Sequence, residues 1–158
     1  MYTNRELGAI GERIAERWLV QNDYYVIEKN FYAKGSEIDI IATKEDSIHF
    51  IEVKTVIHET FKNRQNVIHE TKKDPKNTNL KAKSGKIDVI HETKGFYRPE
   101  DKVDVFKLRR MKWGIRQYLY LKDIKDMPIF IDVIAIVLYK KEGNWIADVK
   151  CIDNVIIE

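Results

Sequence analysis

The chain has 158 residues, a net charge of +3 and a single cysteine, Cys151. That length suffices for one domain with a real core. The absence of any run of about 18 apolar residues argues against a membrane span, and one cysteine excludes an internal disulfide. Met-Tyr-Thr-Asn-Arg-Glu at the start carries an acid and no apolar segment behind it, unlike a signal peptide, so the expected compartment is the cytoplasm. The basic character is local: residues 56–103 net +4, and the remainder nets −1. A nucleic-acid surface spread over the whole molecule is therefore not indicated.

In chain order, residues 4–22 read as a helix. Thr3 and Glu6 fit a capping box, and Leu7, Ile10, Gly11, Ile14, Ala15 and Trp18 recur at helical spacing. Gly8 and Gly11 are poor helix formers, which suggests close approach of another backbone. Glu12 borders this stripe, where spacing alone favours a surface acid over a further carboxylate aimed at the hairpin. Residues 23–32 read as a strand, closed by a turn at Lys34-Gly35.

Residues 36–43 and 47–54 are rich in β-branched and aromatic side chains, with a polar Lys44-Glu45-Asp46 between them. A two-residue loop pairing Lys44 with Ser47 makes paired numbers sum to 91. Asp39 then faces Glu52, and Glu37 faces Lys54. The opposite face pairs Ile38 with Val53 and Ile40 with Ile51. A slip of one residue would set acids against isoleucines, so the period of two selects this register. Facing carboxylates repel, and a hard divalent cation such as Mg²⁺ relieves that cost through oxygen ligands. Lys54, two residues beyond Glu52 on the same face, is placed to orient a water or a phosphate oxygen. The plain alternative is a solvated Glu–Lys lattice with no metal.

Val-Ile-His-Glu-Thr then occurs three times, starting at 56, 67 and 89. Residues 56–102 read as a repeat-bearing insert within a single domain spanning 1–158. Each unit offers only Val and Ile as apolar anchors, so a mobile loop with short strand or helix pieces at those positions is expected. The paired His58, His69 and His91 are explained more simply by duplication than by a metal array.

A helix is expected over 104–122, starting from Asp104 as cap. Its buried face is Leu108, Met111, Ile115, Tyr118 and Leu119. Lys107, Arg109, Arg110, Lys112 and Arg116 make it basic, and they are the candidate contacts for a phosphate backbone. Residues 129–139 are apolar except Asp132, a pattern for a central strand covered on both faces. Asp132 there needs a backbone or basic partner, and a structural use fits best. A turn at 142–144 leads to a last strand at 145–152, where Cys151 reads as buried. The order αβββ-(insert)-αββ describes an α/β fold, a mixed β-sheet flanked by helices.

Several strings together resemble one bacterial family. They are Gly8-Ala9-Ile10-Gly11-Glu12, then Gly35-Ser36-Glu37-Ile38-Asp39, then Phe50-Ile51-Glu52-Val53-Lys54-Thr55. In this order they resemble the YraN family, over about the first 55 residues and more loosely over 104–139. Ser36, Phe130 and the insert itself depart from the family pattern. The resemblance implies a restriction-endonuclease-like fold similar to that of Holliday-junction resolvases. It implies Asp39, Glu52 and the Val53 carbonyl as ligands of Mg²⁺ or Mn²⁺, Lys54 as the residue positioning the attacking water, and Glu12 and Glu37 as supporting acids. The expected activity is metal-dependent cleavage of DNA, possibly branched or junction DNA, by a chain that can work as a homodimer. The competing expectations are a nucleic-acid-binding protein of the same fold without turnover, and a protein-interaction adaptor using the apolar C-terminal strand.

Overall fold

The structure is a computed structural model that describes residues 2–58, 79–82, 85–91 and 105–155, with backbone only for 79–82, 85–91 and Val105. Helix α1 (Asn4–Gln21) is followed by β1 (Tyr25–Ala33), β2 (Ser36–Lys44) and β3 (Ser47–His58). Two short strands come next, β4 (Asn79–Ala82) and β5 (Gly85–His91). Helix α2 (Val105–Leu121), β6 (Ile129–Lys141) and β7 (Asn144–Ile152) complete the order. The expected αβββ-(insert)-αββ sequence of elements is the one found.

The start of α1 follows from its cap. Thr3 Oγ1 accepts the Glu6 backbone N–H at 3.2 Å, and the Glu6 carboxylate accepts the Thr3 N–H at 2.8 Å. Two otherwise unpaired donors are thereby satisfied. Hairpin turns also fall where the sequence puts them. Lys34 and Gly35 take φ of 40° and 84°, and Glu142 and Gly143 take 52° and 81°. Two-residue hairpin loops need such positive φ values to match the twist of their strands.

The sheet runs β1-β2-β3-β6-β7-β5-β4. Neighbours pair antiparallel except β3 with β6 and β5 with β7, which are parallel. β1, β2, β3, β6 and β7 form the five-strand mixed sheet of a restriction-endonuclease-like fold. The insert adds β5 and β4 outside β7, and β5 places Val89 and Ile90 opposite Ala147 and Asp148. The expectation of short strand pieces at Val-Ile positions is met there. β3 continues to His58 beyond the expected end at 54, because its parallel partner β6 supplies a ladder from Ile48↔Ile129 to His58↔Tyr139. The Asp104 cap, His69 and most of the expected mobile loop lie outside the described residues.

Two apolar clusters sandwich the sheet. Ile14, Ala15 and Leu19 of α1 pack on Ile40, Ala42, Ile51, Ile134 and Ile136. Leu108, Met111, Ile115 and Tyr118 of α2 pack on Ile41, Ile48, Phe50 and Val133. Neighbouring residues such as Phe50 and Ile51 thus serve opposite faces, as strand alternation requires. β6 is covered on both faces, as its unbroken apolar run implies. Ile38 departs from the expected layer: it packs with α2 and not with Val53 and Ile40. Among the described residues no helix is long and apolar enough to cross a membrane.

Candidate functional site

The register between β2 and β3 follows the sum of 91 from Lys44↔Ser47 to Ile40↔Ile51. There the recorded ladder stops. Asp39, next in line, is not paired with Glu52 through the backbone. Its Oδ2 accepts the Val53 N–H at 2.7 Å, so a side chain replaces the ladder where the strands part. Ile38 lies beyond the end of the β3 ladder: it stays paired with Phe31 of β1, and both pack toward α2.

The two carboxylates nonetheless meet. Asp39 is 6% exposed and Glu52 is 4% exposed. Lys107, from the first turn of α2, lies between them. Its Nζ donates to Asp39 Oδ1 at 3.1 Å and Oδ2 at 3.4 Å, and sits 2.6 Å from Glu52 Oε2. The last contact is a short ion pair, and it compensates the charge of a buried oxygen, Glu52 Oε2. The sequence groups Lys107 with the basic residues of α2 that are candidate contacts for a phosphate backbone. The structure corrects that placement, because the residue is at the helix margin where the sheet offers two acids.

The electrostatics follow from burial. Glu52 is pushed up to about 7, first by burial and then by the neighbouring Asp39, with Lys107 pulling the other way. For Lys107, burial alone would lower the pKa, yet Asp39 and Glu52 together leave it raised. The Glu52 shift has a consequence for stability. The folded protein keeps this proton up to about pH 7, whereas the unfolded chain releases it near 4.5. Between those values the fold binds more protons, so this group's contribution falls as pH rises and levels off above 7. Urea melts from pH 4.5 to 7.5 should show that decline, and Glu52→Gln should flatten it. An unchanged slope in the variant would show that Glu52 does not carry it.

The other candidates are placed differently. By strand alternation Lys54 shares the Glu52 face; it is half-buried and makes no hydrogen bond or ion pair among the described residues. Glu12 belongs to α1, on the other side of the sheet, and accepts from Asn30 Nδ2 at 3.2 Å. It lines a surface hollow of about 520 Å³ with Glu16, Lys29 and Asn30. Glu37 is exposed and pairs with Tyr32 of β1; the expected pairing with Lys54 does not form, because the β2–β3 ladder ends at Ile40↔Ile51. Among the described residues no three Asp, Glu, His or Cys side chains converge, and Asp39 and Glu52 stand as a pair. Arg109, Arg110 and Arg116 are exposed on α2, and Lys112 is half-buried.

A second polar cluster lies in the sheet. Asp132, 1% exposed, holds His49 Nδ1 at 2.6 Å through Oδ2 and accepts the Asn154 N–H at 2.8 Å through Oδ1. The expected backbone and basic partners are both present. His49 stacks on Phe130 and meets the edge of Tyr24. Burial and Asp132 push the Tyr24 hydroxyl up to about 12. Ser47 Oγ lies 2.9 Å from His49 Nε2, which completes a serine–histidine–aspartate chain. Ser47 also donates to the Lys44 carbonyl at 2.7 Å, so its proton serves the turn and not a nucleophile's base. The alternation of β3 could have flagged His49, a ring facing away from its neighbours Ile48 and Phe50. Cys151 is half-buried and donates to Asp153 Oδ1 at 3.1 Å; burial first, then Asp153, pushes the thiol up, which makes it a poor nucleophile.

Similarity to known proteins agrees with the motifs. A family profile described as "Uncharacterised protein family UPF0102" matches residues 11–78. A UPF0102 protein of Clostridium tetani is 46% identical over 52 residues, 33% of this chain and 43% of that protein. For relatives matched over such a stretch, the chain spans less than half of their length. Other matches are long. A UPF0102 protein of Clostridium perfringens is 28% identical over 149 residues, 92% of this chain and 93% of that one. One from Clostridioides difficile is 31% identical over 144 residues, 90% of this chain and 95% of that protein. Similarity of that extent, on a chain carrying Asp39 and Glu-Val-Lys at 52–54 on adjoining strands, means that it belongs to the UPF0102, or YraN, family.

Proposed function

We propose that this chain is a metal-dependent phosphodiesterase acting on DNA, with branched or junction DNA as the first substrate to try. The supporting observation is the meeting of two nearly buried carboxylates, Asp39 and Glu52, at one cation position where β2 parts from β3. Hard oxygen donors gathered around one cation fit Mg²⁺ or Mn²⁺, which take one or two carboxylates plus waters and phosphate oxygens. Asp39 and Glu52 would hold the ion, with the Val53 carbonyl as the third oxygen that the resemblance implies. Bound there, it would supply charge stabilisation at the phosphate and a more acidic water.

The protein's own groups do the rest. The Val53 N–H fixes the Asp39 carboxylate. Lys54, on the Glu52 face, offers its ammonium to a water or a phosphate oxygen. Arg109, Arg110 and Arg116 on α2 suit a phosphate backbone. Exposed Phe106, Trp113 and Tyr120 are interleaved with them at seven-residue spacing, about 10 Å apart along the helix. Exposed rings among arginines suit unpaired bases.

A nicking assay on a panel of DNA structures with Mg²⁺ or Mn²⁺ tests the reading. Cleavage should appear, stop in EDTA, and fall by roughly 100-fold or more in Asp39→Asn and Lys54→Ala, the size of effect seen when a charge-stabilising group is removed. Full activity in both variants would remove the site assignment. The second reading, DNA binding without turnover, is favoured by one observation: Lys107 already neutralises the acid pair. It predicts salt-sensitive binding that persists in EDTA and in Asp39→Asn, with no cut product.

A further inference from the structure

We propose that Lys107 is the resident cation of the Asp39–Glu52 pair, and that a divalent ion enters this site by displacing its ammonium. The inference rests on the metal reading above and adds a determinant of metal affinity to it. Lys107 Nζ contacts both carboxylates, within 3.1 Å of Asp39 and 2.6 Å of Glu52. A Mg²⁺ ion binds such oxygens at about 2.1 Å. It would have to occupy the space between the same atoms, and two cations cannot share it.

The geometry makes the exchange feasible. One ammonium is shared between two carboxylates, so it meets them as a single point charge and not as a fork matched to either. The Lys107 side chain is 26% exposed, against 8% and 6% for the side chains of Asp39 and Glu52, so it has a way out to solvent that the acids lack. Its four-carbon stem can swing on side-chain rotation alone. Release of Lys107 does not strip the site of lysine, because Lys54 stays on the same face, without an ion pair among the described residues.

Competition of this kind has a measurable signature. A site whose open state is a minor population binds its ligand more weakly by that fraction. With an open fraction of about 1–10%, removing the competing ammonium tightens metal binding roughly 10- to 100-fold. The experiment is calorimetric titration of Mn²⁺ into the full chain at one pH, for the unaltered protein, Lys107→Met and Lys107→Gln. Glu52→Gln serves as the site control. The expected result is tighter Mn²⁺ binding in both Lys107 variants, abolished by Glu52→Gln. Their melting temperature should fall in EDTA, where two buried carboxylates face each other, and rise in Mn²⁺ by more than that of the unaltered protein. If one variant does not fold in EDTA, refolding in graded Mn²⁺ reads the same affinity. Equal or weaker Mn²⁺ binding in the Lys107 variants would overturn the proposal and leave the metal site standing. Absence of Mn²⁺ binding in every protein would overturn the metal reading itself, and this inference with it.

Discussion

Asp132→Ala should destabilise the protein by several kcal/mol, because two buried groups, the His49 ring and the Asn154 N–H, each lose a hydrogen-bond partner at about 1–3 kcal/mol apiece. That is a large share of the roughly 5–15 kcal/mol that holds a typical domain together. Asp132 is almost fully buried and satisfies His49 and the Asn154 N–H at once. Truncation leaves an imidazole clamped between Phe130 and Tyr24 with one nitrogen lacking its acceptor. It also frees the segment after β7, where Asn154 takes φ 52° and the Val155 N–H bonds to the Ile131 carbonyl at 2.7 Å. Asp132→Asn retains an acceptor and should cost less. His49→Phe with Asp132→Ala should recover part of the loss, since no polar ring is then stranded. Urea unfolding measures all of these. A loss below about 1 kcal/mol for Asp132→Ala would mean that the pair carries little net energy, as exposed ion pairs do.

Gly11→Ala is the second large effect, and Gly8→Ala is its control. A Cβ on Gly11 would lie 1.7 Å from Thr55 Oγ1 and 2.8 Å from Thr55 Cβ, so α1 must move off β3. Overpacking of this kind costs typically 1–3 kcal/mol. That should exceed the gain of up to about 1 kcal/mol from replacing a helical glycine by alanine. A Cβ on Gly8 meets nothing within 4 Å, so there the same substitution should stabilise. Both glycines suggested close approach in the sequence; the structure corrects this for Gly8, and at Gly11 the neighbour is a side chain. Thr55→Ala should relieve part of the Gly11→Ala defect. Thermal melts of the three variants give the order. Equal effects at Gly8 and Gly11 would show that the Thr55 contact does not constrain α1. Thr55 follows Lys54 directly, so displacing α1 should also loosen the strand that carries Glu52.

Much of this arrangement was legible because its cause is local. The capping box at Thr3 and Glu6, the glycine turn at Lys34-Gly35 and the β2–β3 register from 40 to 51 each depend on residues close in sequence. The need of Asp132 for partners was legible for a different reason: a carboxylate inside an apolar run must be satisfied wherever it folds. Its actual partner, His49, was not, because that pairing requires β3 and β6 to lie side by side.

The sequence alone determined the order of elements, the apolar faces apart from Ile38, and the presence of Asp39, Glu52 and Lys54 on one hairpin, since strand period and turn chemistry are short-range. Only the tertiary structure decided that Asp39 leaves the ladder to take the Val53 N–H, that Lys107 of α2 lies between the acids, and that β5 of the insert extends the sheet beyond β7. The physical reason is that a buried charge is settled by whichever group packing brings within a few ångströms. No periodicity within one element records which group of a distant element that will be.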